Sequence, residues 1–214
     1  MREIFHGDMR QLREQLAGMC AMAGSSMRRA SQALLTADLA LAEQVISDDA
    51  LLDQARRGCE DHAQSVLALQ APVASDLRKV LAAIYSAEKI ERMGDLAAHI
   101  ADAARFSHPA AAIPTEMSDM FAELSRIAAG MADRLGELIN HPCGEGFAEL
   151  SETDQTVDAL HATILTAITA PNWPHGVRSA TSLALVSRFH ERFADHTVSV
   201  AKRLDFVATG EIPA

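Results

Sequence analysis

The chain has 214 residues and a formal charge of −10, a balance that excludes a surface built to hold nucleic-acid phosphates and favours cations or basic protein surfaces as partners. Aromatic residues make up only 4%. Alanine, leucine and methionine abound, and no stretch alternates apolar and polar side chains as a strand does, which points to an all-α protein of one domain or two small ones.

No stretch approaches the roughly 18 uncharged apolar residues of a membrane span, and Met1 to Asp8 carries no apolar leader segment, so a soluble, cytoplasmic protein is expected. Cys20, Cys59 and Cys143 are scattered and odd in number. They suggest buried thiols rather than a disulfide framework or a zinc site.

Leu12, Leu16, Met19, Ala23, Met27, Ala30 and Leu34 follow the four-three spacing of an apolar stripe and predict a first helix from about Glu3 to Leu35. Asp38 caps a second helix, striped by Leu39, Ala42, Val45, Leu52, Cys59, Ala63 and Val66, with Ser47 as a candidate break. Gln70-Ala71-Pro72 stops it, and a third helix, opening with Leu77, Leu81 and Ile84, runs from about Val73 into Phe106. A proline-containing linker over 108–114 then separates a first unit, 1–107, from a second, 115–214. Met117, Phe121, Leu124, Ala128, Met131, Leu135 and Leu138 predict a fourth helix. Phe147, Leu150, Val157, Leu160, Ile164 and Ile168 predict a fifth, closed by Pro171 to Gly176. A sixth runs from about Val177 to Ala208, with Thr209-Gly210 as its stop. Three long helices, a linker and three more predict a tandem pair of antiparallel three-helix bundles within one fold.

Residues 88–105 return, with substitutions, at 188–205. Under that shift Glu91 lies on Glu191, Arg92 on Arg192 and Asp95 on Asp195. Small residues form a seam beside them, at Ala83, Ala87, Gly94, Ala97 and Ala101 in one copy and Ser187, Ala194, Thr197 and Ala201 in the other, so the third and sixth helices should be central. The four acids sit one position off that seam, about 100° around the helix, and are expected at its rim or on the surface.

Asp49 and Asp53 on the second helix match Asp154 and Asp158 on the fifth, so each half has two acid pairs at i and i+4 on adjacent helices. Four converging carboxylates would raise one another's pKa unless a cation gathers them. That cation is open at this level: a bound metal ion, or a solvated face neutralised by Arg92, Arg188 and Arg192. Carboxylate oxygens with few imidazoles suit Mg, Mn, Fe or Zn. His99, His161 and His196 each lie within four residues of an acid and are further candidates. No nucleotide-binding loop, hydrolase triad or His-Glu-x-x-His motif occurs.

Glu-Arg-Met-Gly-Asp-x-Ala-x-x-Ile-Ala at 91–101 and Glu-Arg-Phe-Ala-Asp-His-x-Val-x-Val-Ala at 191–201 resemble the two signature segments of the PhoU family. So do Gln70 to Arg78 and the ending Val207 to Glu211, while the stretch from Ala37 to Asp48 is most similar to the actinobacterial branch. The resemblance covers nearly the whole chain. It implies a six-helix protein of two repeats whose acidic motifs can bind multinuclear iron or zinc clusters at the surface, with Asp49, Asp53, Glu91, Asp95, Asp154, Asp158, Glu191 and Asp195 as ligands. It further implies a non-enzymatic, cytoplasmic regulator. Such a protein links the ATPase of a phosphate ABC transporter to a sensor histidine kinase, represses the phosphate-starvation response and restrains uptake. Monomer and homodimer are both compatible with it.

Arg188 stands where Glu88 does, and Leu165 where Glu60 does, which implies fewer ions, or none, in the second half. Two other readings remain open from the residues: a carboxylate-bridged metalloenzyme acting on phosphate esters or redox substrates, and a metal-free helical scaffold.

Overall fold

The computed structural model describes residues 2–211. Six long helices carry the fold: α1 (Arg2–Thr36), α2 (Leu39–Gln70), α3 (Ala74–Ser107), α4 (Ser118–Asn140), α5 (Gly146–Ile168) and α6 (Gly176–Thr209), with one 3₁₀ turn at Thr115–Met117. No strand occurs among the described residues.

The helix ends follow local chemistry. The Asp38 carboxylate accepts the Leu41 backbone N–H at 3.0 Å, which satisfies one of the orphan donors at the start of α2. Ala71 turns left-handed at the end of that helix (φ 43°) and Pro72 prevents its resumption. Gly210 does the same for α6 at φ 78°, where a residue without Cβ pays no steric cost. The break suggested at Ser47 does not occur; α2 runs through it, because Ala42, Val45 and Leu52 keep one buried stripe on both sides of that residue.

Helices α1, α3, α4 and α6 pack against one another as α1–α3, α1–α4, α3–α6 and α4–α6. Helix α2 covers α1 and α3, and α5 covers α4 and α6. The two three-helix units therefore share one continuous core rather than two separate ones. The stripes predicted for α1 and α4 are buried throughout. Alanines along the α3 seam are buried where α3 packs on α6, and Gly94 is buried beneath Leu52 of α2; on α6, Ser187, Ala194, Thr197 and Ala201 are buried too, while Leu204 is half-buried. At the start of α3, however, Leu77 and Leu81 are exposed and Val80, Ala83 and Ala87 face the core instead. Cys20 and Cys59 are buried, but Cys143, in the turn between α4 and α5, is exposed.

One polar group is sunk into the centre. His190 of α6 is fully buried, with Nε2 2.9 Å from Ser125 Oγ of α4 and 3.4 Å from Ser31 Oγ of α1, and Nδ1 2.8 Å from the Val186 carbonyl. Burial pushes its pKa down to about 4, only partly opposed by the Val186 contact. The neutral ring thus ties three helices in one register.

Candidate metal centre

The antiparallel pairs α2–α3 and α5–α6 bring the predicted acids together in each half, as two clusters with different internal charge. In the first, Asp49 and Asp53 of α2 meet Glu91 and Asp95 of α3. The Asp49 carboxyl is raised above its usual range by burial first and then by the charges of Asp95 and Asp53. Glu91 is raised by burial and by Asp95. A close helix approach permits this meeting: a Cβ on Gly94 would lie 2.4 Å from Leu52 Cδ2 and 3.3 Å from Asp49 Oδ1.

Arginines then neutralise much of the first cluster. Arg56 reaches Asp53 and Glu60 at 2.8 Å each and places its Nε 3.9 Å from Glu91. Arg57 also pairs with Asp53, and Arg92 with Asp95 at 2.9 Å. The hydrogen bond from Arg56 is the main reason that the Asp53 carboxyl lies below its usual range. Arg92 was an expected neutraliser; Arg56 and Arg57 were not. Their signal was present in the sequence, since Arg56 lies three residues after Asp53 and four before Glu60, positions that face one another on a helix.

The second cluster has the acids without the α5 cations. Asp154 and Asp158 of α5 face Glu191 and Asp195 of α6, and the position matching Arg56 is His161, whose Nδ1 instead lies 2.9 Å from Ser187 Oγ. Asp154 is pushed up to about 6 by burial, followed by the charges of Asp158, Asp195 and Glu191. Glu191 and Asp195 are also raised, burial being the larger cause for each. Glu191 is not at a solvated rim as expected: it is 8% exposed, because Val186, Ser187, His190, Phe193 and Ala194 around it are all buried in the packed face of α6. Arg188 pairs with one of its oxygens. The other, Oε2, is buried without a hydrogen-bond partner, and so is Asp154 Oδ1.

Two orphaned carboxylate oxygens facing further acids are the donor chemistry a hard or borderline cation satisfies, and the all-oxygen set of Asp154, Asp158, Glu191 and Asp195 fits such an ion. As the side chains stand, no three His, Cys, Asp or Glu groups among the described residues converge closely enough to hold a metal. Ligation therefore requires side-chain turns, most simply of the exposed Asp158 and Asp195. The histidines are less suited. His196 is held down to about 4 by burial and by Lys89, Arg192 and Arg92, and the His99 ring packs against Phe189 at 5.3 Å.

The duplication seen in the geometry is also a duplication of family. A family model described as "PhoU domain" matches residues 16–104 and again 121–204. The chain belongs to the PhoU family. Among PhoU relatives, the "phosphate-specific transport system accessory protein PhoU homolog 2" of Mycobacterium tuberculosis (strain ATCC 25618 / H37Rv) is 45% identical over 213 residues, covering 100% of both chains. The PhoU homolog 1 of Mycobacterium leprae (strain TN) is 43% identical, covering 100% of this chain and 96% of its own. The crystal structure of the phosphate transport system regulatory protein PhoU from Streptococcus pneumoniae shares the fold with a TM-score of 0.87 at 22% identity, over 98% of this chain and 99% of that one. PhoU from Pseudomonas aeruginosa does so with a TM-score of 0.84, also at 22% identity, over 97% and 100%. Both PhoU domains of this chain carry one carboxylate cluster each.

Proposed function

We propose that this protein is a non-enzymatic accessory of a phosphate-specific transport system, acting as an adaptor between the transporter's ATPase and a sensor histidine kinase. In this role it restrains phosphate uptake and represses the starvation response when phosphate is plentiful. The observation that carries the reading is the full-length match, 45% identical, to a relative whose name describes an accessory protein of that system. The acidic clusters and the net charge of −10 supply a surface complementary to basic partner faces. No helix among the described residues is long and apolar enough to cross a membrane, so contact with a membrane transporter would run through its ATPase. We expect the protein to work in the cytoplasm.

Within this reading, Asp154, Asp158, Glu191 and Asp195 would hold a divalent or trivalent cation, and Asp49, Asp53, Glu91 and Asp95 a second one if Arg56 moves aside. The cation would cancel carboxylate repulsion and fix the acidic face. A pull-down with the ATPase and the kinase, using the wild type and the double variant Glu91→Ala/Asp95→Ala beside Glu191→Ala/Asp195→Ala, tests the role and the face together. Capture of both partners, weakened by at least one pair of substitutions, is expected. Failure to capture either partner refutes the adaptor, and undiminished capture by both variants moves the interface off the clusters.

A further inference from the structure

The N-terminal end of α3 borders a cavity that none of the cluster carboxylates lines. It encloses about 440 Å3, and its apolar wall includes Leu12 and Leu16 of α1, Ala83 of α3, Ile139 of α4 and Leu204 of α6. The polar side chains lining it are Arg13, Ser75, Arg78, Lys79 and Ser86. Among the described residues no acidic, amide or aromatic side chain lines it. This size and makeup, mostly apolar with a few polar groups, is that of a small-molecule pocket.

Three of those polar groups lack partners. Arg13 and Arg78 form no salt bridge with any described residue, although the chain as a whole is strongly acidic. Arg78 places its guanidinium 5.8 Å from the centre of the Phe206 ring, and its Nε is buried with no hydrogen-bond acceptor. The Ser86 hydroxyl is also buried and unpaired, with the residue only 1% exposed. Other helical hydroxyls here, such as those of Ser65, Ser125 and Thr197, return to the carbonyl four residues back. Lys79 pairs with Asp76 at 2.9 Å, across an exposed turn of α3.

The lining selects the chemistry of an occupant. A nucleobase would find no ring to stack on and no carboxylate or amide acceptor for its N–H groups. A peptide would find helix walls whose backbone groups are mostly paired, and a metal ion would find three cations and two hydroxyls but no carboxylate, imidazole or thiolate. An aliphatic chain fits the wall, and an anionic head fits the guanidinium and ammonium groups at one side. We propose that this cavity binds a single-chain amphiphile, its tail among Leu12, Leu16, Ala83 and Leu204 and its phosphate or carboxylate head on Arg13, Arg78 and Lys79. Arg78 lies in the Asp76-Leu77-Arg78 run of the first turns of α3, a run that does not recur in the second repeat. The proposal is independent of the accessory role.

Calorimetric titration of the full chain with decyl phosphate, below its micelle concentration, tests it beside decanol and inorganic phosphate. Saturable one-to-one binding is expected, with both comparison compounds at least tenfold weaker. Arg78→Gln should weaken decyl phosphate about tenfold, the worth of one charge-assisted contact, and Ala83→Leu should abolish binding by filling the wall. Circular dichroism checks that both variants fold, and Arg13→Gln, expected to weaken binding as Arg78→Gln does, stands in if Ala83→Leu does not fold. Flotation with phosphatidylglycerol vesicles separates the sources. Flotation that Ala83→Leu abolishes means lipid drawn from a bilayer, and absence of flotation with retained decyl phosphate binding means a free amphiphile. No binding of decyl phosphate, equal binding of decanol or inorganic phosphate, or binding indifferent to these substitutions overturns the proposal.

Discussion

Replacing Asp154 by asparagine removes a charge that the folded protein tolerates poorly, and stability should rise. The carboxyl is pushed up from an ordinary 3.8 to about 6, a difference worth about 3 kcal/mol against its ionised form. Because the side chain is only partly buried, solvent screening reduces the gain to about 1–2 kcal/mol. The sign of the pH dependence follows from linkage. Above pH 6 both folded and unfolded chains carry the charge, and the folded state bears the whole penalty. As pH falls from about 6 towards 3.8 the folded carboxyl takes up a proton before the unfolded one does, so the penalty fades. Urea unfolding of EDTA-treated protein should therefore show Asp154→Asn more stable than wild type at pH 7.5, with the advantage nearly gone at pH 4. In saturating manganese or zinc the proposed ligation predicts the reverse order, since an ion held in part by Asp154 would stabilise the wild type more than the variant. An advantage that is absent at pH 7.5, or that is equal at both pH values, would refute this account of the cluster.

His190 works in the opposite direction. Its folded pKa, near 4, lies below the usual 6.5, so wild-type stability should fall by up to about 3 kcal/mol as pH drops through that interval; His190→Gln should flatten that slope in urea titrations at several pH values. Arg56→Gln should lower metal-free stability by about 1 kcal/mol by leaving Glu60 without its cation and Asp53 and Glu91 with one fewer each, with the loss shrinking in 1 M salt as surface charges are screened; a loss independent of salt would point to packing of the stem instead. Ala37, left-handed at φ 55° between α1 and α2, should become glycine with a gain of about 0.5–1 kcal/mol, read as a higher thermal midpoint.

The buried stripes of α1 and α4 and the central pairing of α3 with α6 were legible because a 3.6-residue period and a run of small side chains leave direct marks in sequence. The start of α3 was misread for the same reason. Leu77 and Leu81 keep helical spacing but stand exposed, and only the direction from which α1 and α6 approach makes Val80 and Ala83 the inner face. The carboxylates were legible as residues and as matched pairs. Their protonation was not, since it depends on which arginine reaches which oxygen and on how deeply each acid is sunk.

By itself the sequence determined the helical class, the doubling of a three-helix unit, the family and the set of acids, since these rest on period, repetition and residue type. Tertiary structure alone decided that Arg56 of α2 also reaches towards Glu91 of α3, and that Glu191 and Asp154 of the second cluster each keep a buried oxygen without a partner. Burial and charge pairing are sums over neighbours brought together from distant parts of the chain. No local pattern carries them.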